Sequence, residues 1–198
     1  MRILVAGDST AVGVGAHDAR QSIAGRIYAL SPHAAIVNIG QSGLRTQGLI
    51  AKLEGLQGEW FDIIVLQIGG NDITHFTRLR DLEQQIATVL DHAKKRGRAV
   101  VLLTAGNVGS APVYPFPLSR IYTHRTRLVR EIFRRQAEQH LAHYVDLFQS
   151  PEADPFVQQP AVYYAADGFH PSGAGYGIWF QRIGPVLQDI TLQKSSRV

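Results

Sequence analysis

The chain has 198 residues, 45% hydrophobic and 18% charged, which is typical of one globular domain that buries a core without metals or disulfides. The absence of cysteine excludes a disulfide framework, a thiol nucleophile and a thiolate zinc site. The net charge is only +4, and we interpret the six arginines between Arg120 and Arg135 as the solvated side of a helix rather than a nucleic-acid-binding surface.

Five short segments rich in Val, Ile and Leu are predicted to be β-strands. Their apolar character is nearly continuous rather than alternating, which is typical of parallel strands covered on both faces. The predicted strands are Arg2–Ala6, Ala34–Ile39, Asp62–Ile68, Ala99–Thr104 and His143–Leu147.

Apolar residues at helical spacing lie between and after these strands. The clearest groups are Leu49, Leu53 and Leu56; Leu82, Ile86, Val89, Leu90 and Ala93, with a stop signal at Gly97; Ile121, Leu128, Ile132 and Phe133; and Tyr176, Trp179, Phe180 and Ile183. Repeated strand–helix units imply right-handed crossovers and a parallel sheet. We therefore predict a three-layer α/β/α sandwich with a five-stranded parallel, flavodoxin-like sheet, as one domain over residues 1–198.

Two long connections and the end of the chain stand outside this pattern. Gly106–Leu118 and Gln149–Ala166 are rich in Gly or Pro, and loops of this length are often functional. The polar residues 193–198 are predicted to be a frayed tail.

The hydrophobic segments are too short for a signal-peptide core or a membrane span. We expect a soluble protein without stable membrane insertion, cytoplasmic if the chain is complete and periplasmic or secreted if a leader has been removed.

Polar motifs follow the predicted strands, where the carboxyl ends of parallel strands place ligand sites. Gly7-Asp8-Ser9 follows the first strand, Gly43 closes a loop after the second, and Gly69-Gly70-Asn71-Asp72 follows the third. Asp167-Gly168-Phe169-His170 precedes the last helix. All four motifs should meet at one edge of the sheet.

These residue types can perform nucleophilic catalysis. A serine hydroxyl needs a base within hydrogen-bond reach, and that base needs a third group to orient it. His170 can be the base for Ser9, and Asp167 can hold its other ring nitrogen. The backbone N–H groups of Ser9 and Gly43 and the amide of Asn71 could stabilise an oxyanion. Each residue alone could equally have a structural role, as a helix cap, a turn residue or a surface histidine.

The four motifs together resemble those of the SGNH/GDSL hydrolase family, in particular its small bacterial single-domain members. The resemblance covers residue 7 to about residue 176, and the one departure is Thr10, where the family pattern has Leu. It implies a catalytic triad of Ser9, Asp167 and His170 and oxyanion donors from Ser9, Gly43 and Asn71. It also implies a serine esterase that needs no cofactor or metal and acts on a small ester or thioester through an acyl-enzyme.

Several alternatives compete with this interpretation. Gly13-Val14-Gly15 is similar to a dinucleotide-binding fingerprint, but Asp18 stands where its third glycine belongs. Asp8, Asp72, Asp167 and His170 could form a metal site, although we expect Asp8 and Asp72 to brace loops instead. Asp146 competes with Asp167 as the acid that orients His170.

The sequence also leaves alternatives open for the substrate pocket and for the reaction. Tyr114, Phe116 and Phe169 either line a substrate pocket or pack within their loops. We expect short acyl or acetyl esters, because no segment has the pattern of an amphipathic lid. An acyltransferase with the same acyl-enzyme, or a catalytically silent binding domain, would need the same residues.

Overall fold

The computed structural model describes residues 1–195 and contains one parallel sheet. Its strands are β1 (Arg2–Gly7), β2 (Ala35–Asn38), β3 (Phe61–Gln67), β4 (Gly97–Leu103) and β5 (His143–Val145). They lie in the order β2-β1-β3-β4-β5, and every neighbouring pair is parallel. The prediction of a five-stranded parallel, flavodoxin-like sheet is confirmed.

Nine α-helices connect or follow the strands within residues 1–195. They are α1 (Ser9–Val12), α2 (Ile23–Leu30), α3 (Thr46–Glu54), α4 (Gly70–Thr74), α5 (Leu79–Lys94), α6 (Leu118–Gln139), α7 (Pro155–Gln158), α8 (Pro160–Tyr163) and α9 (Gly173–Ser195). In this part of the chain, none of them combines the length and the apolar character that crossing a membrane requires.

The sheet separates two hydrophobic cores, because successive side chains of a strand point to opposite faces. On one face, Leu4 and Leu66 pack with residues of α3, α5 and α6. On the other face, Val5 and Val65 pack with residues of α2 and α9. The predicted three-layer sandwich is therefore present, and both faces of the sheet are covered.

Helix α6 buries a different face from the one that its large aliphatic residues suggest. Ile121 and Leu128 are 44% and 38% exposed, whereas Ile132 and Phe133 are buried as expected. The complete buried stripe is Thr126, Val129, Ile132, Phe133, Gln136 and Ala137. Two polar residues thus take core-facing positions, and Thr126 can do so because its hydroxyl donates to Tyr122 O.

Gly97 is the first residue of β4, not the end of the preceding helix. Helix α5 ends at Lys94, and Lys95 caps it in ordinary helical geometry. A Cβ atom at Gly97 would lie only 2.8 Å from side-chain carbons of Ile64 on β3. The helix therefore ends within the basic segment before Gly97, as predicted, but Gly97 itself permits close strand packing and does not cap the helix.

The two long connections contain short helical segments. The first holds a 3₁₀ turn at Val108–Ser110 and then enters α6, and the second holds α7 and α8. The last helix, α9, continues through Ser195, beyond the start of the predicted frayed tail. Residues 196–198 of that prediction lie outside the described residues.

Candidate active site

The end of β1 presents Ser9 at the carboxyl edge of the sheet. Gly7 has φ +149°, and a Cβ atom there would lie 1.7 Å from Gln67 O, so only glycine allows β1 to pass β3 so closely. Asp8 then caps α1, because its carboxylate accepts from Thr10 N at 2.9 Å. Ser9 is therefore held as the first residue of a short helix, only 8% exposed.

Ser9, His170 and Asp167 form a continuous hydrogen-bonded chain. Ser9 Oγ lies 2.9 Å from His170 Nε2, and His170 Nδ1 lies 2.5 Å from Asp167 Oδ2. An ionised carboxylate can only accept, so Asp167 fixes the ring proton on Nδ1. The neutral ring then has Nε2 free to accept from the Ser9 hydroxyl, which is the arrangement that a general base requires.

The turn from Asp167 to His170 shapes both partners of this pair. Asp167 Oδ1 accepts from the backbone N–H groups of Phe169 and His170, each at 2.9 Å, and Gly168 has φ +64°. Partial burial raises the pKa of Asp167, but the hydrogen bonds from the His170 ring and from these two N–H groups lower it below its ordinary value. Asp167 consequently remains an acceptor at neutral pH.

The three expected oxyanion donors lie at the same edge of the sheet. Gly43 has φ +77°, a conformation that favours glycine. Within residues 1–195, the N–H groups of Ser9 and Gly43 have no protein acceptor. Asn71, at the start of α4, donates one N–H of its side chain to Leu44 O at 3.0 Å and keeps the second free. Among them, Ser9 and Asn71 line the same cavity.

Asp8 and Asp72 brace the loops around the site. Asp8 accepts from both the N–H and the hydroxyl of Thr10. Asp72 accepts from the N–H and hydroxyl of Thr46 and from the hydroxyl of Thr77, which ties the start of α3 to α4. Burial raises the pKa of Asp8 from 3.8 to about 6 despite its hydrogen bonds.

The residues considered as an alternative triad acid and as a phosphate-binding loop make other contacts. Asp146 accepts from Arg130 Nε at 2.7 Å instead of orienting His170. Gly13 ends α1 with φ +91°, and Asp18 pairs with Arg20, so this segment does not build a phosphate loop. Within residues 1–195, no three His, Asp or Glu side chains are grouped as metal ligands.

A cavity of about 660 Å³, including its open mouth, lies beside Ser9 and His170. Phe169 lines it, whereas Tyr114 packs against Phe169 at 5.9 Å between ring centroids without lining it. Phe116 is 74% exposed and stacks with Arg120. Of the three aromatic residues considered from the sequence, only Phe169 contacts this cavity.

Other residues at the cavity could not be assigned from the sequence. Asn107, Asp154, Phe156, Tyr164 and Trp179 also line it. Asp154-Pro155 does carry a helix-start signal, with an acidic cap followed by Pro at the first helical position, and α7 begins there. That signal predicts a helix but not that its cap faces a cavity beside Ser9.

Comparison with known proteins agrees with the fold and the motifs. Residues 5–178 match the model of the GDSL-like Lipase/Acylhydrolase family. The chain therefore belongs to the GDSL-like lipase/acylhydrolase family, a family of hydrolases.

Individual known proteins are also similar to this chain in sequence or fold. A GDSL-like esterase of Mycobacterium tuberculosis is 26% identical, and the alignment covers 98% of this chain but 64% of that protein's length. The crystal structure of TesA has a TM-score of 0.73 at 24% identity, covering 96% of this chain and 99% of that one. A lipolytic G-D-S-L protein from Veillonella parvula has a TM-score of 0.74 at 19% identity, covering 95% and 98%. These two structures share the fold.

Proposed function

We propose that this protein is a serine esterase that hydrolyses carboxylic esters through an acyl-enzyme on Ser9. The observation that carries the proposal is the hydrogen-bonded chain from Asp167 through His170 to Ser9, with distances of 2.5 and 2.9 Å. A nucleophile, a base within reach and a group that orients the base are the three elements of this chemistry. The family to which the chain belongs has the same reaction type.

The proposed reaction has two steps. Ser9 Oγ attacks the ester carbonyl as its proton passes to His170 Nε2, and the N–H groups of Ser9, Gly43 and Asn71 stabilise the oxyanion. His170 then donates that proton to the departing alkoxide, which leaves as an alcohol and gives the acyl-enzyme. In the second step His170 takes a proton from water as the water attacks the acyl group, and it then returns the proton to Ser9 Oγ as the acyl–oxygen bond breaks, which releases the carboxylic acid and free Ser9. Asp167 stabilises the imidazolium in both steps.

The substrate is proposed to be a small ester or thioester with a short acyl or acetyl group. The described connections near the site hold only short helical segments, Val108–Ser110, α7 and α8, and none is a long amphipathic lid. An acyltransferase would form the same acyl-enzyme and pass the acyl group to an alcohol. Adding a primary alcohol to the assay and analysing the products separates transfer from hydrolysis.

Replacing Ser9 tests the proposal. Ser9→Ala should keep its fold, lose labelling by a fluorophosphonate probe, and lose turnover of an activated acetyl ester by several orders of magnitude. A suitable control is Ser119→Ala, because Ser119 lies outside the candidate site at the start of α6. Substantial turnover by folded Ser9→Ala protein, or a wild-type protein that the probe does not label, would overturn the mechanism.

A further inference from the structure

Part of the lining of the cavity beside Ser9 combines aromatic rings with polar atoms that lack protein partners. Phe156 packs against Tyr164 and Trp179, with ring centroids 5.0 and 5.9 Å apart. Asn107 and Asp154 line the same cavity, and each is only 4% exposed. These five residues are called the distal pocket below.

Asn107 brings an unused donor to the distal pocket. Its Oδ1 accepts from Gly109 N at 3.2 Å, but its buried Nδ2 has no hydrogen-bond partner among the described residues. A buried donor without a partner is unfavourable, so such groups usually serve a ligand or an ordered water.

Asp154 brings an unused acceptor. Its Oδ1 accepts from Phe156 N at 3.0 Å and caps α7, whereas Oδ2 accepts from no group in residues 1–195. The neighbouring Tyr164 adds a phenol hydroxyl that can donate, and burial raises its pKa further above neutral pH. A residue with an unused donor and a residue with an unused acceptor therefore line the same cavity as the aromatic rings and Ser9.

This combination discriminates between ligand classes. A plain alkyl group leaves both Asn107 and Asp154 unsatisfied in an apolar space, which is unfavourable. An anionic group meets the carboxylates of Asp8 and Asp154, which line the cavity. A quaternary ammonium group suits aromatic rings but cannot accept from Asn107. A hydroxyl group both donates and accepts, and the C–H bonds of the carbon that carries it can pack on an aromatic ring.

We infer that the distal pocket selects esters with a hydroxyl-bearing group, through Asn107 as donor and Asp154 as acceptor, over esters with unsubstituted alkyl groups. The inference rests on the proposed function, since it concerns which ester reaches Ser9. The hydroxyl-bearing half could be the alcohol or the acyl part, because the cavity is lined by both His170 and Asn71.

Two pairs of matched esters test the inference and identify which half of the ester, alcohol or acyl, enters the distal pocket. The alcohol arm compares glyceryl monoacetate with propyl acetate, and the acyl arm compares methyl 3-hydroxybutanoate with methyl butanoate. In one arm, wild-type kcat/KM should favour the hydroxylated ester by about tenfold or more, since sites built around a hydroxyl discriminate strongly against analogues that lack it.

Isosteric substitutions then convert the donor at position 107 into an acceptor and the acceptor at position 154 into a donor. Asn107→Asp keeps the oxygen that accepts from Gly109 N, and Asp154→Asn keeps the oxygen that accepts from Phe156 N. Each variant should bring the selectivity ratio to near one. Gln139→Glu and Asp81→Asn are the controls, because they make the same charge changes at exposed positions on α6 and α5 and should keep the wild-type ratio.

The outcomes separate the two proposals. A wild-type ratio near one in both arms, or a high ratio that persists in both variants at native Tm, would overturn the inference and leave the esterase proposal intact. If one variant does not fold, the other decides. If wild-type protein hydrolyses none of the four esters and is not labelled by fluorophosphonate, the esterase proposal fails and the inference fails with it.

Discussion

At the scale of a single residue, replacing Asn71 tests whether its side-chain amide has a catalytic or a structural role. Asn71→Ala removes one proposed oxyanion donor but leaves the N–H groups of Ser9 and Gly43. Loss of one such donor typically costs about a hundred- to a thousand-fold in kcat, with less effect on KM. We expect a slow enzyme that the fluorophosphonate probe still labels, as measured by kcat, KM and labelling rate on one preparation.

A structural role would give a different result, because Asn71 also donates to Leu44 O. In that case the variant would have a lower Tm, and its loss of activity would match the fraction of protein that is unfolded. Thr74→Val, which removes a hydrogen bond to Asn71 O within the same helix, is the matched control and should retain wild-type kcat. A stable Asn71→Ala protein with near-normal kcat would remove this residue from the site.

The raised pKa of Asp8 predicts that the stability of the protein depends on pH. Its pKa is raised from 3.8 to about 6, so the folded state binds more protons than the unfolded state between these values. Stability therefore falls as pH rises through this window, by an amount on the order of 3 kcal/mol for this one group. Asp8→Asn keeps an oxygen for Thr10 N and removes the charge, so it should raise Tm at pH 7.5 and bring little gain at pH 4.

Asp18→Asn is the control for this measurement. Asp18 is an exposed carboxylate paired with Arg20, which lowers its pKa, so its loss should not stabilise the protein at pH 7.5. Equal effects of the two substitutions on the pH profile of Tm would contradict the assignment to Asp8.

At the scale of elements, Arg125 connects α6 to the segment that carries Asn71. Its guanidinium donates to Ile73 O at 3.1 Å and to Thr77 O, and it lies 5.1 Å from the centre of the Phe76 ring. Burial lowers the pKa of Arg125 and the nearby Asp72 raises it, with a net lowering. One side chain from a distant helix thus holds the end of α4 and the turn after it.

Removing this contact should destabilise the protein. Arg125→Met keeps most of the aliphatic length and loses both donors, so we expect the free energy of unfolding to fall by about 1–3 kcal/mol in chemical denaturation. Arg127→Met, two residues along the same helix at an exposed position, should change it by less than about 0.5 kcal/mol. Equal stability of the two variants would contradict this role of Arg125.

The elements that were predictable from the sequence are those with a local signal. Continuous Val, Ile and Leu runs indicated the strands, and two of the four short motifs indicated the hydrogen-bonded residues Ser9, Asp167 and His170. The buried face of α6 was not predictable, because Thr126 and Gln136 replace aliphatic residues in its core stripe. The contacts of Arg125 with α4 and the position of Asp154 at the cavity were not predictable either, because they involve residues from distant parts of the chain.

On the scale of the whole molecule, strand order decides which loops meet. β1 and β3 are adjacent in the sheet, so the loops after them place Ser9 and Asn71 side by side. The loop after β4 supplies Asn107, and the segment after β5 supplies Asp154 and then His170. The sequence predicted the parallel sheet that makes this convergence possible, but the presence of Asn107 and Asp154 at the same cavity required coordinates.

The hydrogen bond between Ser9 and His170 joins residues 161 positions apart. During synthesis the ribosome therefore releases the nucleophile early and its base only after all five strands have been translated. A nascent chain that ends before residue 167 has every strand of the sheet but neither the base nor the group that orients it. Under the proposed mechanism, the capacity to cleave an ester begins only when translation has passed His170 and the turn that carries it has brought the ring to Ser9.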